Sequence, residues 1–298
     1  MMSKKQNVKK TYPKSPRTTK AASHAPTPPQ KREERAVRRF FNETEIRSLR
    51  RKLLSLANKY EVSDFLNGDP SWFMHQVIGE RNQETIAFIA SCLSYGSRNI
   101  FMPRIQYLLD CSCYEPYEWI KSGKYKLDIP NDDTCFYRLY TNAMMYDLFN
   151  ALQAMYEVYG DMKIFIRCHT GHNDDNYQLE AIEAIEAICH YFQEQEAVGI
   201  VPKNASSSCK RVCMFLRWMV RTDSPIDLGI WSDLIRLRSL IMPLDTHVIQ
   251  QSLQLGLITS KTTSMSVARK LTDKLLEIFP DDPLKADFAL FGYGVNQK

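Results

Sequence analysis

Apolar residues recur at the spacing of an α-helix along most of the chain. Near the start of this pattern, Ile46, Leu49 and Leu53 fall on one helical face behind residues 42–45, a segment of the kind that begins helices. No segment shows the regular alternation of apolar and polar residues that is typical of a strand. The pattern predicts an all-α protein, with a helix that begins near residue 43 and further helices over residues 82–95, 99–109, 115–122, 136–160, 177–196, 210–221, 245–256, 264–279 and 283–293.

The first 36 residues lie outside this pattern. They are rich in Lys, Thr, Ser and Pro and contain almost nothing apolar to bury, which predicts disorder. The chain also lacks a run of about 18 apolar residues, so no transmembrane helix is predicted. We therefore interpret the chain as a disordered basic tail over residues 1–39 and a helical domain over residues 40–298, whose possible lobes, 40–198 and 199–298, share a cleft.

Charge is divided unevenly between the tail and the helical domain. The whole sequence carries a formal net charge of +5. Residues 1–39 contain twelve Lys or Arg and two Glu, so the remaining residues are slightly acidic. A basic arm of this kind can hold an anionic polymer such as DNA, or it can simply keep the protein in solution, and both interpretations stay open. The net negative charge of the domain argues against contact with a long stretch of DNA. It is compatible with a local strip of basic residues that contacts a short stretch.

Eight cysteines are present, and no two of them have the C-x-x-C spacing. This pattern indicates reduced, mostly buried thiols and no iron–sulfur cluster. Cys168, His169 and His172 are candidate metal ligands, but no fourth candidate lies near them in the sequence. We therefore predict neither a metal nor another cofactor.

Asp245 lies where the start of a helix is expected. It follows Pro243 and Leu244, and the segment behind it has helical spacing and ends at Gly256. A carboxylate at this position accepts the unpaired N–H groups of the first helical turn, and both these bonds and the helix dipole favour the anion. The sequence thus predicts a fixed, ionised carboxylate, which is a common way to begin a helix and is also a useful catalytic group.

Lys210 is the second residue that could perform chemistry. It opens the predicted helix over residues 210–221, after three consecutive serines and Cys209. The helix dipole disfavours a cation at this position, which favours the neutral amine. A neutral, partly desolvated lysine is a nucleophile that can form a Schiff base. Taken alone, a lysine at such a position is more often a solvated surface charge.

The two residues together resemble the catalytic pair of the helix-hairpin-helix DNA glycosylases. In that family a catalytic lysine begins a helix, and an aspartate follows one loop later in a segment very similar to residues 243–248. Residues 206–219 most resemble the archaeal 8-oxoguanine glycosylases, and residues 288–294 resemble the last helix of that module. Over roughly residues 45–295 the chain is also similar to an uncharacterised bacterial family of unknown function related to these enzymes, through residues 88–96, 215–221, 227–231 and the Asp245 segment.

The resemblance departs from the glycosylase pattern at the hairpin itself. The usual Leu-Pro-Gly-Val-Gly sequence, whose glycines bring backbone N–H groups against a DNA phosphate, is absent, and Ser206 to Cys209 take its place. Serine hydroxyls and the N–H groups of a helix start can also bind phosphate. The four-cysteine iron–sulfur loop of some relatives is absent as well.

The resemblance implies a glycosylase-like helical fold of two lobes and a base-excision activity on DNA. It implies that Lys210 attacks the sugar of a flipped, damaged nucleotide, with an oxidised purine as the candidate lesion, and that Asp245 stabilises the charge that develops. Such an enzyme is expected in the cytoplasm, at the nucleoid, and a monomer is assumed. The residues expected to contact nucleic acid are Ser207, Ser208, Arg211, Arg217 and His247, with Arg221 as a further phosphate contact, whereas Trp218 and Trp231 are expected in the core.

Two other classes of function stay open at this point. The missing hairpin glycines and the acidic domain favour a non-catalytic nucleic-acid-binding protein on the same scaffold. A helical protein-interaction module would need neither Lys210 nor Asp245. The presence of both residues favours the glycosylase, because a protein that only binds does not require the pair.

Overall fold

The protein is mostly helical, as the apolar pattern predicts. The computed structural model describes residues 41–171 and 177–295, so the tail predicted over residues 1–39 lies outside the described part. No helix within that part is long and apolar enough to cross a membrane. The helices are α1 (Glu43–Tyr60), α2 (Glu80–Leu93), α3 (Arg98–Cys111), α4 (Pro116–Lys121), α5 (Tyr125–Asp128), α6 (Asn142–Tyr159), α7 (Met162–His169), α8 (Ala181–Glu194), α9 (Lys210–Val220), α10 (Thr246–Gln254), α11 (Met265–Ile278) and α12 (Lys285–Val295), with short 3₁₀ segments at Ser63–Leu66, Pro70–His75 and Leu237–Ser239.

Helix starts coincide with side chains that satisfy the first-turn N–H groups. Asn42 accepts from the backbone of Glu45 at the start of α1, and the Glu45 carboxylate accepts from the backbone of Asn42 in return. A similar reciprocal pair, Glu180 and Glu183, begins α8. These caps explain why α1 and α8 begin where they do.

A β-hairpin replaces the start of the helix predicted over residues 136–160. Strands β1 (Cys135–Tyr137) and β2 (Tyr140–Thr141) pair antiparallel, and Arg138 in the turn has a left-handed φ of 52°. The hydroxyl of Thr141 then accepts the backbone N–H of Met144 and begins α6. The prediction was wrong here because Phe136 and Tyr140 are buried at a spacing that also suits a helix.

One hydrophobic core joins the helices on either side of residue 198. Helix α2 packs against α9, where the Phe88 and Phe215 rings meet edge to face at 5.3 Å. Helix α1 packs along α12, where a side chain in place of Gly292 would collide with Tyr60. The described residues 41–171 and 177–295 thus form one compact unit, and a division into lobes at residue 198 stays a prediction.

Candidate active site

A cleft of about 600 Å³ lies where the turn between α2 and α3, the first residues of α9 and α10, and α12 come together. Helix α9 is held there by its apolar face, on which Val212, Phe215 and Leu216 are buried. Helix α10 packs on α12. The cleft is lined by charged and aromatic residues, which include Asp69, Arg98, Lys210, Asp245, His247 and Phe291.

Lys210 and Asp245 meet inside this cleft. The Lys210 Nζ lies 2.7 Å from Asp245 Oδ2, and the other carboxylate oxygen accepts the backbone N–H of His247 at 2.8 Å. Asp245 is therefore the N-cap of α10, as its sequence context predicts. Burial opposes ionisation of Asp245, but the Lys210 ammonium and the His247 N–H outweigh burial and hold the pKa of the carboxyl below its usual range. The cleft thus contains an oriented carboxylate in contact with a lysine amine.

The residue before Lys210 has a backbone conformation that favours glycine. Cys209 is the N-cap of α9 and lies in the left-handed region, with φ 45° and ψ 35°. Its side chain is buried, with Sγ 3.5 Å from Ser207 Oγ and from the carbonyl oxygen of Asn204. The glycines of the hairpin are absent from the sequence, yet the chain still makes a left-handed turn immediately before the lysine. This turn directs α9, and with it Lys210, into the cleft.

Stability measurements can test the strain at Cys209. A residue with a Cβ atom costs about 1–2 kcal/mol in the left-handed region, whereas glycine does not. We expect Cys209→Gly to be about 1 kcal/mol more stable than Cys209→Ala in urea denaturation. At Cys213, which is buried inside α9, the order should reverse, because alanine is favoured over glycine in a helix by about 1 kcal/mol. If alanine were more stable than glycine at position 209 as well, Cys209 would not be strained.

His247 also lies in the cleft, one residue into α10. Its ring is nearly perpendicular to the Phe291 ring, with the centroids 6.0 Å apart. The Nδ1 atom is buried and has no hydrogen-bond partner within the described ranges 41–171 and 177–295. His247 is therefore placed beside the lysine–aspartate pair, and its contact with nucleic acid stays a prediction.

The two serines expected to contact nucleic acid differ in exposure. Ser207 is exposed, and its hydroxyl accepts the backbone N–H of Cys209 at 3.4 Å. Ser208 is buried, so its hydroxyl is poorly placed to meet a phosphate. The serine segment is fixed by a bridge from Ser207 to Ser264, the N-cap of α11. Ser207 is the better placed of the two for a phosphate contact.

The arginines that the sequence predicts as phosphate contacts bind other groups of the protein. Arg217 and Arg221 are buried and bonded to carboxylates, so a direct phosphate contact by either would require buried ion pairs to break. Both arginines therefore have partners within the fold, and a contact of either with nucleic acid stays a prediction. Arg211 is half-buried and donates to the carbonyl oxygen of Cys92 at 2.6 Å and to the Tyr140 hydroxyl. Its role with nucleic acid stays a prediction.

The core and the candidate metal ligands can be placed as well. Trp218 and Trp231 are fully buried, which confirms the prediction that they belong to the core. Cys168 and His169 lie at the end of α7, whereas His172 lies outside the described residues. No group of three possible metal ligands occurs within the described part of the chain.

Asp69 and Arg98 are cleft residues that sequence reasoning missed. Asp69 follows a turn, and Arg98 is the first residue of α3, where the helix dipole disfavours a cation. A cation at such a position requires a partner, and this is the signal that could have identified it. The partner, Asp69, is distant in the sequence and becomes visible only in the fold.

Comparison with known proteins identifies a family and no individual relative. The sequence model of a family described as "Protein of unknown function (DUF2400)" matches residues 69–296, which is more than half of the chain. This confirms the similarity to a family of unknown function. No curated protein and no solved structure matches the chain.

Proposed function

The chain belongs to the DUF2400 family, and from the geometry of its cleft we propose that it is a DNA glycosylase with lyase activity. The observation that carries the proposal is the 2.7 Å contact between Lys210 Nζ and Asp245 Oδ2. Both residues stand at helix N-termini, and both line one cleft of about 600 Å³. A carboxylate fixed beside an amine is the arrangement that a lysine nucleophile requires.

The proposed reaction begins with a damaged base flipped from the duplex into the cleft. The Lys210 ammonium, whose side chain is 35% exposed, first passes a proton to water. The neutral amine then forms a bond to the anomeric carbon of the sugar, and the bond from that carbon to the base breaks. The base leaves with the electron pair and takes up a proton. The Asp245 carboxylate stabilises the positive charge that develops on the sugar, and it accepts hydrogen bonds from the lysine that keep the amine directed at the carbon.

The next steps complete the lyase reaction. The sugar ring opens when the bond between its anomeric carbon and ring oxygen breaks, and the oxygen takes up a proton. The lysine nitrogen is then joined to the carbon as a Schiff base. Loss of a proton from the neighbouring carbon permits elimination of the 3′ phosphate, which cuts the strand.

The exposure and charge of the pair favour catalysis over simple binding. The Lys210 side chain is 35% exposed and that of Asp245 is 19% exposed, so a substrate can reach the amine while the carboxylate is largely shielded from water. Shielding strengthens the interaction of a carboxylate with a developing cation. A protein that only binds DNA gains little from a lysine whose charge is neutralised by an aspartate, because attraction to phosphates depends on net positive charge.

Borohydride trapping is the experiment that tests the proposal. The protein is incubated with duplexes that contain 8-oxoguanine, uracil or an abasic site, and borohydride is added to reduce the Schiff base to a stable amine. We expect a covalent protein–DNA adduct with the abasic duplex and with at least one lesion. Mass spectrometry of the digested adduct should locate the DNA on the peptide that contains Lys210.

The outcomes distinguish the three classes of function. An adduct on another lysine would refute the assignment of the site. No adduct and no base release across the panel would refute the enzyme and leave the two non-catalytic classes, of which only the nucleic-acid-binding protein retains affinity for the duplexes.

A further inference from the structure

Arg98 is a cation held at the wall of the cleft, beside an aromatic ring. It is the first residue of α3, where the helix dipole repels a cation. Asp69 maintains its position, because Asp69 Oδ2 lies 3.0 Å from Arg98 Nη2. Asp69 is itself buried and fixed, because its other oxygen accepts from the backbone and hydroxyl of Ser71 at 3.1 and 2.7 Å. The guanidinium is thus oriented by a rigid carboxylate.

Phe291, on α12, provides the aromatic surface next to this cation. The guanidinium carbon lies 5.6 Å from the centre of the Phe291 ring, within the range of a cation–π contact. Phe291 lines the cleft and is only partly buried, so part of its ring is accessible from the cleft. The rings of Phe65 and His247 lie at 67° and 86° to Phe291 and hold it in place.

Arg98 has more unused donors than the other cations of the cleft. Within the residues that the structure describes, Asp69 is its hydrogen-bond partner, through Nη2, and its side chain is 40% exposed. Lys210 is bonded to Asp245, and Arg217 is buried between Asp227 and Asp287. The Nε and Nη1 donors of Arg98 are therefore available to a molecule in the cleft.

We propose that Arg98 selects the base, by donating hydrogen bonds to the O6 carbonyl oxygen of a guanine-type base that lies against Phe291. This inference rests on the proposed function and adds the class of base. The accessible part of the Phe291 ring offers aromatic surface to a planar heterocycle. A guanidinium at its edge favours guanine-type bases, which present the acceptor O6, over adenine-type bases, which present the donor N6 amino group at the same position. The predicted preference is thus for an oxidised guanine over an oxidised adenine.

The preference can be measured by binding, without any chemistry. Three duplexes differ at one nucleotide. Two of them contain 8-oxoguanine or 8-oxoadenine on a 2′-fluorinated sugar, which resists cleavage. The third contains a tetrahydrofuran abasic analogue, which has no base. The wild-type protein should bind the 8-oxoguanine duplex most tightly. Arg98→Met keeps the apolar stem and removes the donors, and it should weaken binding to this duplex about 10–100-fold while leaving the tetrahydrofuran duplex unchanged.

Arg104→Met is the matched control. Arg104 lies on the same helix, contacts the Phe136 ring and is exposed outside the cleft. It should leave the base preference unchanged. The melting temperature of each variant is measured first, and Arg98→Lys serves as a second variant, which retains the charge but lacks the planar fork and should lose most of the preference.

Trapping on abasic DNA separates this inference from the proposed function. Arg98→Met should still form the borohydride adduct at an abasic site, because no base is present to be read. No wild-type preference between the two oxidised purines, or a preference that Arg98→Met retains, would overturn the role of Arg98 whatever the trapping shows. A preference lost in Arg98→Met, together with no adduct in the wild type, would support the base site and refute the glycosylase.

Discussion

Replacing Lys210 with methionine is expected to abolish base release and the borohydride adduct. Methionine has nearly the same length and shape in the cleft but has no nucleophilic nitrogen, so no covalent intermediate can form. Loss of a nucleophile lowers the rate of such reactions by about 10⁴-fold or more. The measurement is the single-turnover rate of base release, with enzyme in excess over a duplex that the wild-type protein processes.

Lys203 provides the control for this substitution. It is an exposed lysine in the loop before α9, seven positions before Lys210, and Lys203→Met should keep both the rate and the adduct. Lys210→Met leaves the Asp245 charge without its cation and should weaken binding of the duplex, so the rates are compared at protein concentrations that saturate the duplex. If Lys210→Met released base at the wild-type rate, the proposed mechanism would be wrong.

Asp245→Asn separates the two roles of the aspartate in the same assay. The amide oxygen can still accept the His247 N–H and cap α10, but the negative charge is lost. Base release should slow about 10²–10³-fold, the usual effect of removing one electrostatic contact to a transition state. Equal rates for Asp245→Asn and the wild type would mean that the carboxylate only begins a helix.

The effect of pH on stability provides a further control for Asp245. Because its pKa is held below the usual range, Asp245 contributes stability that is present above its unfolded pKa and is lost as pH falls through its folded pKa. The stability difference between the wild type and Asp245→Asn should therefore be largest at neutral pH and shrink below about pH 4.

Local patterns predicted much of the fold and the identity of the two central residues. The amphipathic spacing is strong enough to place α1, α2, α9 and α11 within a few residues of their observed positions. Capping chemistry placed Asp245 at a helix start, because a cap depends on neighbours within three residues. The β-hairpin was not predicted, because the left-handed turn at Arg138 contains no glycine that would indicate a turn.

Contacts between distant residues could not be read from spacing. Lys210 and Asp245 are 35 residues apart, and nothing in the periodicity requires that they touch; only the resemblance paired them. The sequence predicts Arg217, in α9, and Arg221, which follows that helix, as phosphate contacts, yet both are buried. Their partners come from the end of α1, two loops and α12, up to 160 residues away. A charge that appears exposed in the sequence can be buried when the fold brings enough carboxylates to it.

These arginines form a buried ionic network beneath the cleft. Arg221 bonds to Glu61 at 2.7 Å, to Asp227 at 2.7 Å and to Asp282 at 2.8 Å, and its side chain is 3% exposed. Arg217 joins Asp227 to Asp287, which lines the cleft floor. The network therefore connects the end of α1, α9 and α12, the elements that support Lys210.

Arg221→Met is expected to cause the largest loss of stability among the substitutions considered. The change leaves three carboxylates without their common cation, two of them fully buried, and breaking a buried ion pair in this way costs about 3–5 kcal/mol. The free energy of unfolding is measured by urea denaturation. The matched control is Arg236→Met, because Arg236 pairs with Glu180 on the surface and exposed pairs contribute about 0–1 kcal/mol.

The source of this cost is uncompensated negative charge, which a second substitution can reveal. If the cost arises from charge, Arg221→Met combined with Asp227→Asn should be less destabilised than the sum of the two single variants, by about 0.5–3 kcal/mol. Because methionine keeps much of the packing of the arginine stem, additive effects would show that the loss does not arise from the uncompensated charge of Asp227. A small loss in Arg221→Met, equal to that of Arg236→Met, would contradict the buried network. Because Arg217 shares Asp227 with Arg221, the carboxylate of Asp287 at the cleft is held through Arg217 to a cluster that is costly to disturb.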